Sequence, residues 1–222
     1  MNRSSVIKKI SYSVFANLVS LLVSVCMVLI VPKFLAVEDY GVWQLFLFYF
    51  SYLGFFHFGW LDGIYLRYAG NDFNELDPKL FSGQYYLLII FQALLGVLII
   101  LFANLFVTDP IKSNVLYCVA PLLIVVNFYT ACNQLMQFTN RIEEYAKLML
   151  TERIVLLVSI SMVIFLGYRH FIDLYFSKVL SLLVVFILCI YLCRRLLVLK
   201  FYSFNSIINE AKTNISVGGL YN

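Results

Sequence analysis

The sequence predicts an all-α, polytopic membrane protein with six transmembrane helices, and three observations favour that fold class. Of the 222 residues, 63% are hydrophobic and only 13% are charged, whereas a soluble domain usually carries about 25% charged residues. The charged residues are concentrated between six long apolar runs, which is typical of a chain whose solvent is lipid. These runs are continuous and do not alternate apolar with polar residues, which argues against a transmembrane β-barrel.

Each run is long enough to cross a bilayer, which requires roughly 20 mainly apolar residues. The first run is too long for a signal peptide and has no small-residue cleavage site before Pro32, so we interpret it as an inserted span. The fifth and sixth runs are rich in Leu, Val and Ile, and we expect them to face lipid or to pack against neighbours. The predicted spans are 12–33, 42–66, 82–107, 114–138, 146–168 and 174–193.

The distribution of Lys and Arg predicts the orientation, because cytoplasmic loops carry the excess of positive charge. With the N-terminus inside, twelve of the 16 basic residues are assigned to the inner side. The chain is therefore predicted to be N-in and C-in. The inner set is Arg3, Lys8, Lys9, Arg67, Lys79, Arg141, Lys147, Arg153, Arg194, Arg195, Lys200 and Lys212, and the outer set is Lys33, Lys112, Arg169 and Lys178.

Two regions follow from these spans. Residues 1–193 form a six-helix N-terminal transmembrane lobe, and residues 194–222 form a cytoplasmic amphipathic linker with the start of a further, truncated helix. The linker prediction rests on Leu197, Phe201, Phe204 and Ile208, whose spacing of four, three and four residues places them on one helical face. Together with nearby basic residues, this face predicts a helix at the inner membrane surface.

Three predicted spans carry stripes of polar residues at helical spacing, and polarity inside a membrane is costly enough to be informative. Two interpretations remain open. Such residues can hydrogen-bond neighbouring helices to one another, or they can line a water-filled cavity that accepts a polar substrate. The stripes are Ser13, Asn17, Ser20 and Ser24 in the first span, Gln44 and Ser51 in the second, and Asn127, Thr130, Gln134 and Gln137 in the fourth.

Asp62 lies on the same predicted face as Gln44 and Ser51, within two turns of the inner surface. It either pins or gates the inner end of its helix, or it binds a coupling ion or substrate. His57 is expected on the opposite side of that helix. The residues that we predict at the inner mouth, as a gate or as contacts to a phosphate-bearing headgroup, are Lys9, Asp62, Arg67, Arg141 and Arg153.

Sequence patterns for enzyme chemistry were not found. The chain has no G-x-x-x-x-G-K-[ST], H-E-x-x-H or G-x-S-x-G pattern, so we expect neither catalysis nor a cofactor. The five cysteines all fall inside predicted spans without a nearby histidine, and we interpret them as small packing residues and not as metal ligands.

Residues 31–70, "VPKFLAVEDYGVWQLFLFYFSYLGFFHFGWLDGIYLRYAG", resemble the N-terminal region of bacterial O-antigen and capsule repeat-unit flippases. These flippases are the polysaccharide transporters of the multidrug/oligosaccharidyl-lipid/polysaccharide exporter superfamily. The elements that carry the resemblance are Pro32, the "EDYGVWQL" turn and "DGIYLRYAG".

The resemblance implies a two-lobe exporter fold in the bacterial inner membrane, of which this chain would be one lobe. The implied function is to move a lipid-diphosphate-linked oligosaccharide from the inner to the outer leaflet by alternating access. The implied partners of the chain are the bilayer, this substrate and other membrane proteins of polysaccharide assembly. Binding to nucleic acid is not expected. Family members bind the diphosphate with cationic residues that face the cavity, and no deeply placed Arg or Lys is predicted here.

Three other functions stay open. An ion-coupled drug or small-cation exporter of the same fold would need an acid deep in the membrane, and Asp62 lies near the surface. A membrane glycosyltransferase or polysaccharide ligase would need a large outer loop, and the predicted outer loops are short. An inactive half-size fragment or a non-transporting assembly subunit is the third alternative.

Overall fold

A computed structural model of the chain describes residues 3–200 and 202–219, except for the side chains of residues 3–7, 9 and 10. Every regular element in this part of the chain is helical. Three short 3₁₀ segments, Val31–Lys33, Leu53–His57 and Arg194–Leu196, connect the longer helices. The α-helices are α1 (Arg3–Ile30), α2 (Val37–Tyr52), α3 (Trp60–Tyr68), α4 (Pro78–Phe106), α5 (Pro110–Val119), α6 (Leu122–Phe138), α7 (Ile142–Phe165), α8 (Phe171–Cys193) and α9 (Phe204–Gly219).

The long apolar helices make this a multi-pass membrane protein. Among the described residues, four segments are long and apolar enough to cross a bilayer, and a fifth is added if the bent pair α5–α6 counts as one span. The two helices of that pair meet at 43° beside Pro121. The four segments are Ser11–Lys33, Pro78–Phe106, Ile142–Phe165 and Phe171–Leu196. The prediction of six spans, and of the N-in orientation, therefore stays a prediction.

The predicted second span, 42–66, is not one continuous helix. Helix α2 ends at Tyr52, a 3₁₀ segment follows, and two consecutive residues then adopt left-handed backbone angles, with φ of 48° at Phe58 and 77° at Gly59. A right-handed helix cannot pass through such residues, so the helix is interrupted there and α3 begins at Trp60. The prediction that Gln44, Ser51 and Asp62 share one helical face is consequently wrong.

Helix boundaries elsewhere follow from local chemistry. Asp77 and Asp109 cap α4 and α5 by accepting hydrogen bonds from backbone amides, and a proline follows each of them at the first helical position. Proline is favoured there because its missing N–H would have no helical partner. Gly167, with φ of 86°, ends α7, as expected of a glycine just beyond a helix.

Two apolar clusters hold the bundle together. One joins α3, α4, α6 and α8 around residues such as Tyr85, Leu135 and Cys193. The other joins α2, α5, α6, α7 and α8 around residues such as Phe46 and Leu123. The outer faces of α1, α4 and α8 leave many large apolar side chains uncovered, which matches a surface solvated by lipid tails.

Helix α9 packs against α3 at very short range. A Cβ atom built on Gly63 would lie 1.8 Å from the carbonyl oxygen of Asn214, and one built on Gly218 would lie 1.9 Å from the carbonyl oxygen of Gly59. Gly59 and Gly63 are four residues apart in the chain and both face α9. Glycines at this spacing let two helix backbones approach closely. Residues 197–200 and 202–203 are not helical, so the predicted helix begins at Phe204, in α9, and not at Leu197. Its position at the inner membrane surface stays a prediction, and Phe201 lies outside the described residues.

Candidate functional site

A cavity of about 430 Å³ with a polar lining lies between α2, α6, α7 and α8. Its lining extends from Val126 to Gln137 on α6 and from Tyr145 to Arg153 on α7. At a rise of 1.5 Å per residue, these two stretches of helix are about 16 Å and 12 Å long. The cavity therefore runs from the α6–α7 turn toward the middle of the bundle. Its polar lining residues include Thr130, Asn133, Gln134, Gln137, Glu152, Arg153 and Lys178.

A buried ion pair forms part of the wall of this cavity. Lys178 Nζ on α8 donates to Glu152 Oε1 on α7 at 2.6 Å, and only 6% and 4% of these two residues are exposed. Arg153 Nε lies 3.2 Å from Glu152 Oε2. The Lys178 ammonium also sits 4.6 Å from the centre of the Phe50 ring, a distance at which a cation is attracted to an aromatic face. The cavity thus carries two cations and one carboxylate.

Two amide oxygens at this cavity have no donor among the described residues. The side-chain oxygens of Asn133 and Gln134 are buried and accept no hydrogen bond. The orientation of the Gln134 amide is fixed by its nitrogen, which donates to Asp62 Oδ1 at 3.1 Å. A buried acceptor without a donor costs about 1–3 kcal/mol. A ligand that brings hydroxyl donors, or water, would remove that cost.

The stripe on α6 combines both roles that the sequence left open. Asn127 is fully buried and donates to the carbonyl oxygen of Leu53 and to Gln92 Oε1, so it joins α6 to neighbouring elements. Thr130, Gln134 and Gln137 line the cavity. Asn127 therefore connects α6 to its neighbours, whereas the part of the stripe from Thr130 to Gln137 faces the cavity.

The stripe on α1 lies apart from this cavity. Helix α1 packs mainly on α7, and Asn17 and Ser24 donate to backbone carbonyls of their own helix, those of Ser13 and Ser20. None of the α1 stripe residues lines the cavity. The prediction that three stripes surround one space therefore does not match the geometry.

The predicted polar residues of α2 also lie elsewhere. Gln44 Nε2 donates to the Tyr40 hydroxyl at 2.6 Å, and Ser51 Oγ donates to the Phe48 carbonyl on an exposed surface. Neither residue lines the cavity. The α2 residue that does so is Phe50.

Asp62 joins a small polar group beside the cavity. His57 Nδ1 lies 3.6 Å from Asp62 Oδ2, so the prediction that His57 faces away from Asp62 is wrong. The break at Phe58 and Gly59 is the reason, because it turns the 3₁₀ segment back toward α3. Through Gln134, Asp62 is connected to the cavity wall.

Arg67 points to α9 and not to Asp62. Its guanidinium lies 2.7 Å from Glu210 Oε1 and also donates to Asn214 Oδ1. The Tyr68 hydroxyl donates to the same Glu210 oxygen at 2.8 Å. Burial raises the pKa of Tyr68 to about 12, and the hydrogen bond to Glu210 adds to this shift. Arg67 and Tyr68 therefore fasten α9 to α3.

The remaining residues predicted at the inner mouth are dispersed. Arg141 Nη2 pairs with Glu144 Oε1 at 3.1 Å, and its guanidinium carbon lies 4.4 Å from the centre of the Phe73 ring. Arg153 lines the cavity beside Glu152. The side chain of Lys9 lies outside the described residues. The structure thus does not gather Asp62, Arg67, Arg141 and Arg153 into one mouth.

Sequence reasoning missed the ion pair. The distribution of charge predicts Lys178 on the outer side, and the composition of the fifth and sixth spans predicts helices that face lipid or pack against neighbours, whereas Lys178 lies buried on α8. A signal was present, because both Glu152 and Lys178 fall inside predicted spans. Ionisable residues there are paired or functional by default.

Comparison with models of known protein families, with curated proteins and with solved structures gives no match for this chain. The resemblance of residues 31–70 to repeat-unit flippases therefore stays a prediction, and function rests on the geometry of the cavity.

Proposed function

We propose that this chain is a transport lobe that carries the polar head of a lipid-diphosphate-linked oligosaccharide across the bacterial inner membrane, by alternating access, for O-antigen or capsule synthesis. The observation that carries the proposal is the polar cavity whose lining includes Lys178, Arg153 and Glu152. Charged residues inside a membrane are costly and mark substrate or ion pathways.

The chemistry of the cavity fits the two parts of such a head group. Diphosphate oxygens accept hydrogen bonds from Lys and Arg, and Lys178 and Arg153 supply these donors. Sugar hydroxyls can donate to the buried oxygens of Asn133 and Gln134, which have no donor of their own. The apolar outer faces of the helices leave the polyprenyl chain in lipid.

The carboxylate of Glu152 has a defined role in this mechanism. It neutralises the buried Lys178 and the half-buried Arg153 while the cavity is empty, because a buried cation without a counter-ion would be strongly destabilising. An arriving diphosphate competes for the same two cations. Binding would therefore loosen the contact between α7 and α8. A ligand that binds more tightly to the loosened conformation than to the paired one shifts the equilibrium between them.

The matched substitutions Gln134→Leu and Gln44→Leu test this proposal. Both side chains are half-buried, but only Gln134 lines the cavity. The protein would be reconstituted in vesicles with a fluorescent polyprenyl-diphosphate disaccharide, and the loss of signal to an external quencher would report its movement between leaflets. We expect a drop of about tenfold for Gln134→Leu, equivalent to about 1.4 kcal/mol, and wild-type rates for Gln44→Leu. Absence of any protein-dependent movement would overturn the proposal.

An ion-coupled exporter of small organic cations is the second candidate, because Glu152 supplies the deep acid that such a transporter needs. This candidate predicts uptake of a lipophilic cation dye driven by a proton or sodium gradient. Glu152→Gln would abolish that uptake. Dye transport without movement of the lipid-linked sugar would favour this candidate over the first.

A further inference from the structure

A second polar space lies at one end of the bundle, separate from the transport cavity. It is a cleft of about 800 Å³, formed by the α3–α4 loop, the α6–α7 turn and the end of α8. Its lining residues are Asp72, Phe73, Asn74, Glu75, Thr139, Arg141, Tyr191, Leu192, Arg194 and Arg195. We call this space the rim cleft.

Three arginines enter the rim cleft, and their surroundings differ. Arg195 donates to the backbone carbonyls of Phe73 and Asn74 and thereby holds the α3–α4 loop in place. Arg141 is stacked over Phe73 and paired with Glu144. Arg194 lies 5.1 Å from the centre of the Tyr191 ring and has no carboxylate partner among the described side chains. Arg194 is therefore the cation left free for a ligand.

Two carboxylates lie on the facing loop. Asp72 and Glu75 are exposed, and neither forms an ion pair with a described side chain. Among the described side chains, the rim cleft thus presents one guanidinium and two carboxylates without ion-pair partners. A ligand that satisfies all of them must carry both an anionic and a cationic group.

The depth of the rim cleft indicates where such a ligand comes from. Tyr191 and Arg194 lie at the end of the apolar segment Phe171–Leu196, which is where lipid headgroups begin. Tyrosine is enriched at this level of a membrane, and basic pockets between helix ends bind lipid headgroups.

We infer that the rim cleft binds the zwitterionic phosphoethanolamine headgroup of a membrane lipid. The phosphate accepts hydrogen bonds from Arg194, and the primary ammonium donates to Asp72 and Glu75. A phosphocholine headgroup has no N–H donor for the carboxylates, and an anionic glycerol headgroup leaves them without a cation. This site is independent of the transport proposal, because it uses none of the cavity residues.

Native mass spectrometry of the delipidated protein tests the inference. The chain would be titrated with phosphatidylethanolamine, phosphatidylcholine and phosphatidylglycerol of identical acyl chains, and with soluble phosphoethanolamine. We expect retention of phosphatidylethanolamine about tenfold above the other two lipids, and no measurable binding of the soluble headgroup. Equal retention of the three lipids, or comparable binding of soluble phosphoethanolamine, would overturn the assignment.

Two pairs of variants separate the two halves of the site. Arg194→Gln should reduce the retention of phosphatidylethanolamine about tenfold, whereas Arg169→Gln, at an exposed arginine outside the cleft, should not. Glu75→Gln should reduce the preference for phosphatidylethanolamine over phosphatidylcholine, whereas Glu38→Gln, also at an exposed carboxylate outside the cleft, should keep it. All four positions are on the surface, so the fold is retained. Behaviour of the cleft variants equal to that of their controls would contradict the inference.

Discussion

Lys178 on α8 and Glu152 on α7 form a 2.6 Å ion pair inside a bundle whose outer surface is apolar. Each charge is costly in such a place unless the other is present. The pair therefore joins the two helices and at the same time places a cation at a polar cavity.

Removal of Glu152 alone should destabilise the protein more than removal of both partners. We expect Glu152→Gln to lower the free energy of unfolding by roughly 3–5 kcal/mol, because it leaves the buried Lys178 ammonium uncompensated, whereas Lys178→Gln should cost less, because Arg153 still pairs with Glu152. The double variant should lose less than Glu152→Gln. Thermal unfolding in lipid nanodiscs would measure this coupling, and additive losses would show that the two residues do not form a pair.

The close contact between α3 and α9 should not tolerate a side chain at Gly63. A Cβ atom there would lie 1.8 Å from a backbone oxygen, so we expect Gly63→Ala to release α9 from α3. Amide hydrogen exchange of residues 204–219 would then increase. Gly41→Ala is the matched control, because nothing lies within 4 Å of that position and alanine favours a helix. Unchanged protection of α9 in Gly63→Ala would contradict the packing.

Cys132 on α6 and Cys193 on α8 should be cross-linked by hydrogen peroxide. Their sulfur atoms lie 3.2 Å apart, and because both residues are fully buried, we expect this small oxidant to react slowly. Hydrogen peroxide would convert the two thiols to a disulfide with formation of water, and the intact mass would fall by two hydrogen atoms. Cys26→Ser should leave this product unchanged and Cys193→Ser should abolish it. A product that persists in Cys193→Ser would place other cysteines in contact.

The segment that leads into α9 should loosen in acid. The Tyr202 hydroxyl donates to Asp77 Oδ2 at 2.8 Å. Desolvation opposes ionisation of Asp77, but the hydrogen bonds from Tyr202 and from the Lys79 amide outweigh it and lower its pKa. Because the folded state holds the ionised form more strongly, this stabilisation is present above the unfolded pKa and is lost as the pH falls through the folded one.

Fluorescence of a probe attached near residue 200 would follow this acid transition. Asp77→Asn should remove the pH dependence while it keeps the helix cap, because asparagine caps helices as well as aspartate does. Asp109→Asn, a cap on α5, should leave the transition in place. A transition that persists in Asp77→Asn would assign it to another group.

The sequence predicts the helices better than the site because the helices depend on neighbouring residues, whereas the site depends on contacts between residues that are distant in the chain. Uninterrupted apolar length decides where a long helix such as α4 or α8 lies, and it can be read locally. The break at Phe58 and Gly59 could not be read in this way, since a phenylalanine in the left-handed region is unusual and a single glycine in an apolar run is common.

The cavity depends on contacts between distant residues. Glu152 and Lys178 are 26 residues apart, and only the packing of α7 on α8 brings them together. The stripe on α6 was visible in the sequence, and the structure places Thr130, Gln134 and Gln137 at a cavity. Helical spacing on α1 is equally regular, yet α1 packs on α7 without lining the cavity, so regular spacing alone does not show which helix lines the cavity.

Photo-cross-linking tests the central claim most directly. A polyprenyl diphosphate with a diazirine next to the diphosphate would be incorporated with the protein in nanodiscs and irradiated, and the labelled peptides would be mapped by mass spectrometry. The cavity assignment predicts labels within 126–137 and 145–153 that are competed by unlabelled polyprenyl diphosphate. Labels confined to α1 or to the lipid-facing side of α4, or labels that competition does not reduce, would contradict it.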